Sequence, residues 1–450
     1  MQPKQNNSQT SINLNLFQMK KSIFPFILVG LLAVGCSEEK GPKGEEPDVP
    51  GTETKLYQDV EPLEPLSRWD SEAGEEADLN ALNDFAYRLN SNFVADYDNL
   101  WGKAPDHKGN YSFSPLSISV FLSAVSQSVD GQARQDICDM LGIAPEDAAS
   151  LNNKLIRYFL GKENGAEVRL ANSVWHVSRF PILDSYKSRM AELFGAPVNE
   201  LDLYSPESKD IINSWCSDKT HGMIPEVFIE APKVDFLIAN ALYFSADWMY
   251  SFSEENTKKD IFYGTEGDTE IDLMHRPSTF RYYAKVDGTE YTSLSLSDDF
   301  AMDIVMPSAG TDMAEFGKTL DRTLVKLEEA KETKDLDFYL PRFKEERGAL
   351  IIDNLRALGF PDYDMSTLEM TGSASHPFLA DGAFVMHKTA LDVKEEGVKL
   401  AAVTVGGWFG SPGETPEYEK VTMRVDRPFY YVIRDYQTGI VLMIGRVCNL

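Results

Sequence analysis

The six histidines, His107, His176, His221, His275, His376 and His387, are the natural places to look for a general base or a metal ligand. They are scattered without ligand spacing. The adjacent carboxylates Asp298-Asp299 and Glu328-Glu329 have the types needed for acid–base work, but such pairs ordinarily form a solvated face. No Gly-x-Ser-x-Gly elbow, Walker loop, Gly-x-Gly-x-x-Gly or His-Glu-x-x-His occurs. Nothing therefore assembles a nucleophile with a base, or a metal site, and the chain reads as a non-enzyme without a cofactor. Four cysteines are too few for a disulfide framework. Cys36 stands apart at the end of an apolar run; Cys138, Cys216 and Cys448 are an odd set, read as buried thiols rather than reactive ones.

The elements that would position any site belong to a chain of 450 residues with 43% hydrophobic and 25% charged side chains, an ordinary globular composition. Its 43 Lys+Arg against 71 Asp+Glu give a net charge of −28, which excludes a nucleic-acid protein. Lys20 and Lys21 precede an apolar run from Ile23 to Val34, too short to span a bilayer and suited to a signal-peptide core. Met19 directly before the basic pair reads as the start, with Met1 to Gln18 an upstream extension. Leu-Ala-Val-Gly-Cys at the end of the run resembles a bacterial lipoprotein lipobox, which implies lipidation of Cys36. The acidic Ser-Glu-Glu that follows resembles a surface-export signal, so an exported outer-membrane lipoprotein facing the extracellular side is expected.

Residues 1–35 are thus an extension and leader. Residues 36–78 read as a tether: from Ser37 to Asp78 there are 14 acidic residues, 4 basic ones and 5 prolines, a composition expected to stay extended. Residues 79–450 are uniform in composition and read as one domain. Apolar spacing predicts helices over 79–98, from Pro115 with Ser114 as cap, and over 315–334 and 348–358. Strand patterns follow at 168–177, 236–243, 300–306, 336–340, 383–393, 429–434 and 440–446. Helices first and mixed strands after predict an α+β domain with a large sheet.

Six segments then resemble one family, in its order. They are Asn110-Tyr111-Ser112-Phe113-Ser114-Pro115-Leu116-Ser117-Ile118; Ile212-Asn213-x-Trp215 with Thr220 and Gly222; Asn240-Ala241-Leu242-Tyr243-Phe244 with Trp248 and Phe252; and Leu340-Pro341-Arg342-Phe343. The run His387 to Gly397 resembles the strand and proximal hinge of the serpins, and Arg427-Pro428-Phe429 through Val447 resembles their terminal hairpin. The resemblance implies a serpin fold of about eight to nine helices around three β-sheets, with an exposed reactive-centre loop near 397–420. It implies a monomeric suicide inhibitor of serine, and by extension cysteine, endopeptidases, which form a covalent complex while the cut loop inserts into the central sheet. It assigns Glu395, Glu396, Gly397, Val398, Leu400, Ala401 and Ala402 to the hinge. Ser114, Ser117, Asn240 and His387 become the cluster beneath the sheet that governs its opening, with Trp248 at its top.

The loop alternates as insertion requires. Val398, Leu400, Ala402, Thr404 and Gly406 would face the core, uncharged, while Lys399 would face solvent. Leu400 in place of the family's usual alanine is expected to slow insertion. Family spacing places the scissile bond at Ser411, but Pro412 follows it, which favours Phe409 and then Gly410. An aromatic there suits a chymotrypsin- or subtilisin-like target, and Gly410 an elastase-like one. The alternative is a non-inhibitory serpin-fold surface binding protein whose loop is only cut.

Overall fold

Ser114 and Pro115 show how local chemistry starts the fold. In a computed structural model, which describes residues 56–96, 109–379, 385–398 and 418–450, the Ser114 side chain accepts the N–H of Ser117 and a helix runs Pro115–Ser126. All its residues but Phe121 are buried, so its hydroxyls bond inside the protein: Ser119 to the Leu116 carbonyl and Ser126 to that of Ser123. The preceding helix, Glu75–Asp96, begins four residues before its predicted start and buries Leu82, Phe85, Leu89 and Phe93.

Two predicted helices are divided. Over 315–334 there are short helices, Met313–Gly317 and Leu320–Ala330, and then a strand, Glu332–Pro341. Thr319 leaves the helical region, and pairing with the strand Asp268–Val286 claims everything from Glu332. Over 348–358 the strand Phe343–Leu350 takes the first residues, paired with Met386–Val393, and only Ile352–Ala357 is helical. In both cases a non-local ladder overrides helical spacing.

Among the described residues the central sheet has six strands in the order Phe343–Leu350, Met386–Val393, Gly397–Val398, Phe236–Asp247, Ala166–His176, Val198–Glu200. The other strands form one nine-stranded sheet rather than two, because the 19-residue strand Asp268–Val286 belongs to both halves. Its first part pairs with Lys258–Tyr263 and Glu332–Pro341, and its last residues pair with Thr289–Ser295. Ten α-helices accompany the two sheets among the described residues.

The described chain corrects the later part of the expected tether, while residues 36–55 lie outside the described residues. Residues 56–73 lie against the body, part of the compact unit Lys55–Leu450. Tyr57 is buried, Val60, Leu63, Leu66 and Trp69 are half-buried, and the residues between them are exposed. Burial at every third residue is the period of a polyproline II strand, suited to a segment holding Pro62 and Pro65. Tyr57 packs edge-on against Trp175 at 6.4 Å and donates to Asp218, and the Gln58 N–H donates to Asn199. Farther on, the Leu66 N–H donates to the Arg157 carbonyl, and Trp69 meets Tyr158 edge-on at 5.4 Å with the Lys154 ammonium above its ring. Counting charge alone hides this strap, because its anchors are only every third side chain.

Candidate functional site: a slot in the central sheet

The chain reverses direction at Lys394–Gly397, where the Lys394 N–H donates to the Gly397 carbonyl at 3.0 Å. Val398 thereby returns beside Val393 and also pairs with Ala246, and all three are fully buried. Directly paired residues share a face, so Val398 points into the core. Gly397 makes this close approach possible: a Cβ there would lie 2.4 Å from the Ala246 carbonyl oxygen and 2.6 Å from Asp247 Cα.

The turn after Asp247 clasps the hinge. The Trp248 N–H donates to the Glu396 carbonyl at 2.9 Å, its indole N–H to the Lys394 carbonyl at 2.8 Å, and the Phe252 N–H to the Glu395 carbonyl at 2.8 Å. The Glu395 side chain is buried. Burial pushes its carboxyl up, but hydrogen bonds from Arg342 Nε at 3.1 Å and Thr257 Oγ1 at 2.6 Å more than offset this and hold it below the usual range. Arg342→Ala would leave that carboxylate to Thr257 and a backbone N–H. Because Arg342 is itself partly exposed, we expect a loss of about 2 kcal/mol, read from urea unfolding; an unchanged midpoint would remove the pair from the hinge's stability.

Beyond Val398, no described strand lies between Phe236–Asp247 and Met386–Val393. A narrow cavity of about 50 Å³ follows, lined from both sides by Leu237 to Ala241 and by Val385, His387 and Lys388, with Ser117 and Phe121 behind. A cavity of about 520 Å³ continues at the far end, between Phe236 to Ile238 and Val385. The two strands flank a slot whose top position is filled by Val398.

The polar residues behind the slot come together. The Ser114 N–H donates to His387 Nε2 at 3.0 Å, and Ser117 Oγ donates to Asn240 Oδ1. Asn240 in turn donates to Asn172 Oδ1 at 2.7 Å, and Asn172 to the Phe194 carbonyl at 3.2 Å. Asn172 sits directly across from Asn240 in the sheet, and sequence reasoning missed it. Its signal was a buried-strand position, between Leu170 and Val174, that carries an amide. The helix Pro115–Ser126 is thus tied to one flank of the slot through Asn240 and to the other through His387, so widening the slot disturbs both links.

Burial pushes the His387 imidazole down from 6.5 to about 4. The unfolded chain therefore binds a proton between these pH values that the native protein does not, and stability falls as pH drops through that window. We expect wild type to lose about 3 kcal/mol more than His387→Asn between pH 7 and pH 4. Parallel urea titrations of the two proteins would assign the loss to other groups.

The remaining candidate chemistry is structural. Burial pushes the Cys216 thiol, beside the slot, up to about 12, and the Cys138 thiol is pushed up as well; Cys448 is also buried. Glu328 binds Arg434, which also holds the buried Asp303 at 2.6 Å, while Asp298 accepts the Asn164 N–H. Leu400, Ala401, Ala402, Phe409, Gly410, Ser411 and Cys36 lie outside the described residues.

Comparison with known proteins bears on the fold and the family. Antithrombin-III of Ovis aries is 26% identical over 457 residues, covering 95% of this chain and 96% of its own. A serine protease inhibitor of Cyanea capillata is 28% identical over 368 residues, covering 77% of this chain and 93% of its own. Human thyroxine-binding globulin superposes with a TM-score of 0.71 at 20% identity, over 83% of this chain and 98% of that one. The native state of the thermophilic serpin tengpin superposes with a TM-score of 0.69 at 21% identity, over 86% and 98%. Residues 80–450 match the family described as Serpin (serine protease inhibitor), and the chain, whose fold carries the hinge, slot and cluster just described, belongs to the serpin family.

Proposed function

We propose that this serpin is a suicide inhibitor of serine, and by extension cysteine, endopeptidases. The protease attacks a loop carbonyl near Phe409 or Gly410, the peptide bond breaks, and the carboxy-terminal side leaves as a free amine. The inhibitor remains as an ester, or thioester, on the nucleophile. The freed loop then enters the central sheet and carries the acyl-enzyme with it. One observation supports this above others: Val398 already stands in strand register at the top of a slot whose flanking strands have no described strand between them below it. A strand added there would complete the backbone hydrogen bonds of both neighbours, each net worth about 1 kcal/mol, and bury apolar side chains in the cavity.

The decisive experiment mixes purified protein with chymotrypsin, subtilisin and elastase and follows the mixtures by denaturing gel and intact mass. The expected result is an SDS-resistant adduct and a released peptide beginning at Gly410 or Ser411. Clean cleavage without adduct across the panel would overturn inhibition and favour a surface binding protein. We further propose that Cys36 is lipidated and anchors the inhibitor to the outer membrane of a bacterial cell, on the extracellular side. Cys36→Ser would then release the protein from the membrane fraction; retention there would overturn the anchor.

A further inference from the structure

The strand Asp268–Val286 carries one extra residue between Arg276 and Thr279: Arg276 stands opposite Phe338, and Thr279 opposite Leu336. Without that bulge, residues three apart would point to opposite faces. With it, Arg276, Thr279 and Arg281 share the face of Phe338 and Leu336, both buried, while Phe280 and Tyr282 point outward and are exposed.

These three inward side chains hold donors without acceptors. Nε and Nη2 of Arg276, Oγ1 of Thr279 and Nε of Arg281 are buried and have no hydrogen-bond partner. Arg276 is only 6% exposed. Among the described residues no carboxylate acts on either guanidinium; burial, and then Arg281, push Arg276 down to about 9. Each cation rests on an aromatic ring instead, Arg276 at 4.2 Å from Phe252 and Arg281 at 4.6 Å from Tyr250. A ring face is a weak substitute for a counter-ion in a buried place. Acids are not scarce in a chain of net charge −28, so the lack of one beside two inward arginines calls for another anion.

We propose that Arg276, Thr279 and Arg281 form a binding site for a small tetrahedral oxyanion, inorganic phosphate or sulfate. Two guanidinium groups and a hydroxyl on one face of the strand offer the kinds of donor such an ion accepts, and the burial of Arg276 suits a free ion better than a group carried on a polymer. The site adjoins the turn that clasps the hinge, since Phe252 beneath Arg276 also donates its N–H to Glu395. A bound ion would therefore brace the native hinge. The inference is independent of any protease target.

The test is the thermal midpoint of the purified protein in phosphate or sulfate, up to about 10 mM, against chloride at constant ionic strength. Wild type is expected to show a saturable rise, half complete near or below ~1 mM. Arg276→Met should lose the rise while melting no lower than wild type in chloride, because it removes a buried unpaired charge. Arg281→Met, nearer the rim, should weaken half-saturation by about tenfold and serves alone if Arg276→Met does not fold. No saturable rise, or an equal rise in wild type and the arginine variants, would reveal a general salt effect or an adventitious ion only, and would overturn the site. Phosphoserine is expected to bind at least tenfold more weakly than phosphate; equal binding would overturn the assignment to a free ion.

Discussion

Val398→Glu is expected to abolish protease trapping while leaving the loop cleavable. Val398 is fully buried between Val393 and Ala246, and its face is the core face of the sheet. In the native protein, the two-residue strand Gly397–Val398 can swing a charged side chain out to solvent at the loss of a few backbone pairs. The inserted strand has no such freedom: its register is set by every residue that follows, and a carboxylate at the first inward position must be buried at a cost of several kcal/mol. Since about 1.4 kcal/mol is tenfold, insertion slows enough for the acyl-enzyme to hydrolyse first. The adduct should fall more than tenfold, with cut inhibitor in its place, and urea unfolding of the intact protein should record the lost burial of Val398 and its pairs, about 3 kcal/mol, with the protein still folded. Lys399→Glu, one residue on and expected to face solvent, should trap as wild type does. Equal trapping by Val398→Glu and wild type would overturn insertion at this register.

Tyr57→Ala should produce the other large effect, on stability. Tyr57 is 8% exposed, packs against Trp175 and donates to Asp218, so truncation leaves a cavity at the edge of the central sheet and removes a charge-assisted bond. About 3 kcal/mol is expected for such a loss, and about half of it for Tyr57→Phe, which keeps the ring. Removing residues 56–73 should cost more than either, because Leu63 and Trp69, packed against the core, leave with Tyr57. Urea midpoints measure all three. Wild-type stability in the truncated protein would show that the strap rests on the body without holding it.

The family was legible in the sequence because its most telling features are local. Ser114-Pro115 caps a helix by its own geometry, and Glu395-Glu396-Gly397-Val398 encode a turn that needs a glycine, because a Cβ there would lie 2.4 Å from the Ala246 carbonyl oxygen. The alternation of the loop is likewise a property of consecutive residues. Ser114, Ser117, Asn240 and His387 came from motif resemblance, and their placement around one slot follows from strands those motifs mark. The non-enzyme reading stands with the family.

What the sequence could not show depends on partners far along the chain. Residues 315–334 and 348–358 have helical spacing, yet parts of both become strand because Asp268–Val286 and Met386–Val393 offer ladders that local propensity cannot foresee. Asn172 enters the cluster only through its register opposite Asn240. The strap looked like a tether because net charge averages over residues, whereas docking uses every third side chain and a surface built by Asn199, Arg157 and Trp175. Arg276 and Thr279 share a face because of one extra residue in a ladder. By itself the sequence determined the family and the Ser114 helix cap, both set by neighbours in the chain. The slot flanks, the docked strap and the inward arginines were decided by tertiary structure, because strand register and burial are set by contacts between distant segments.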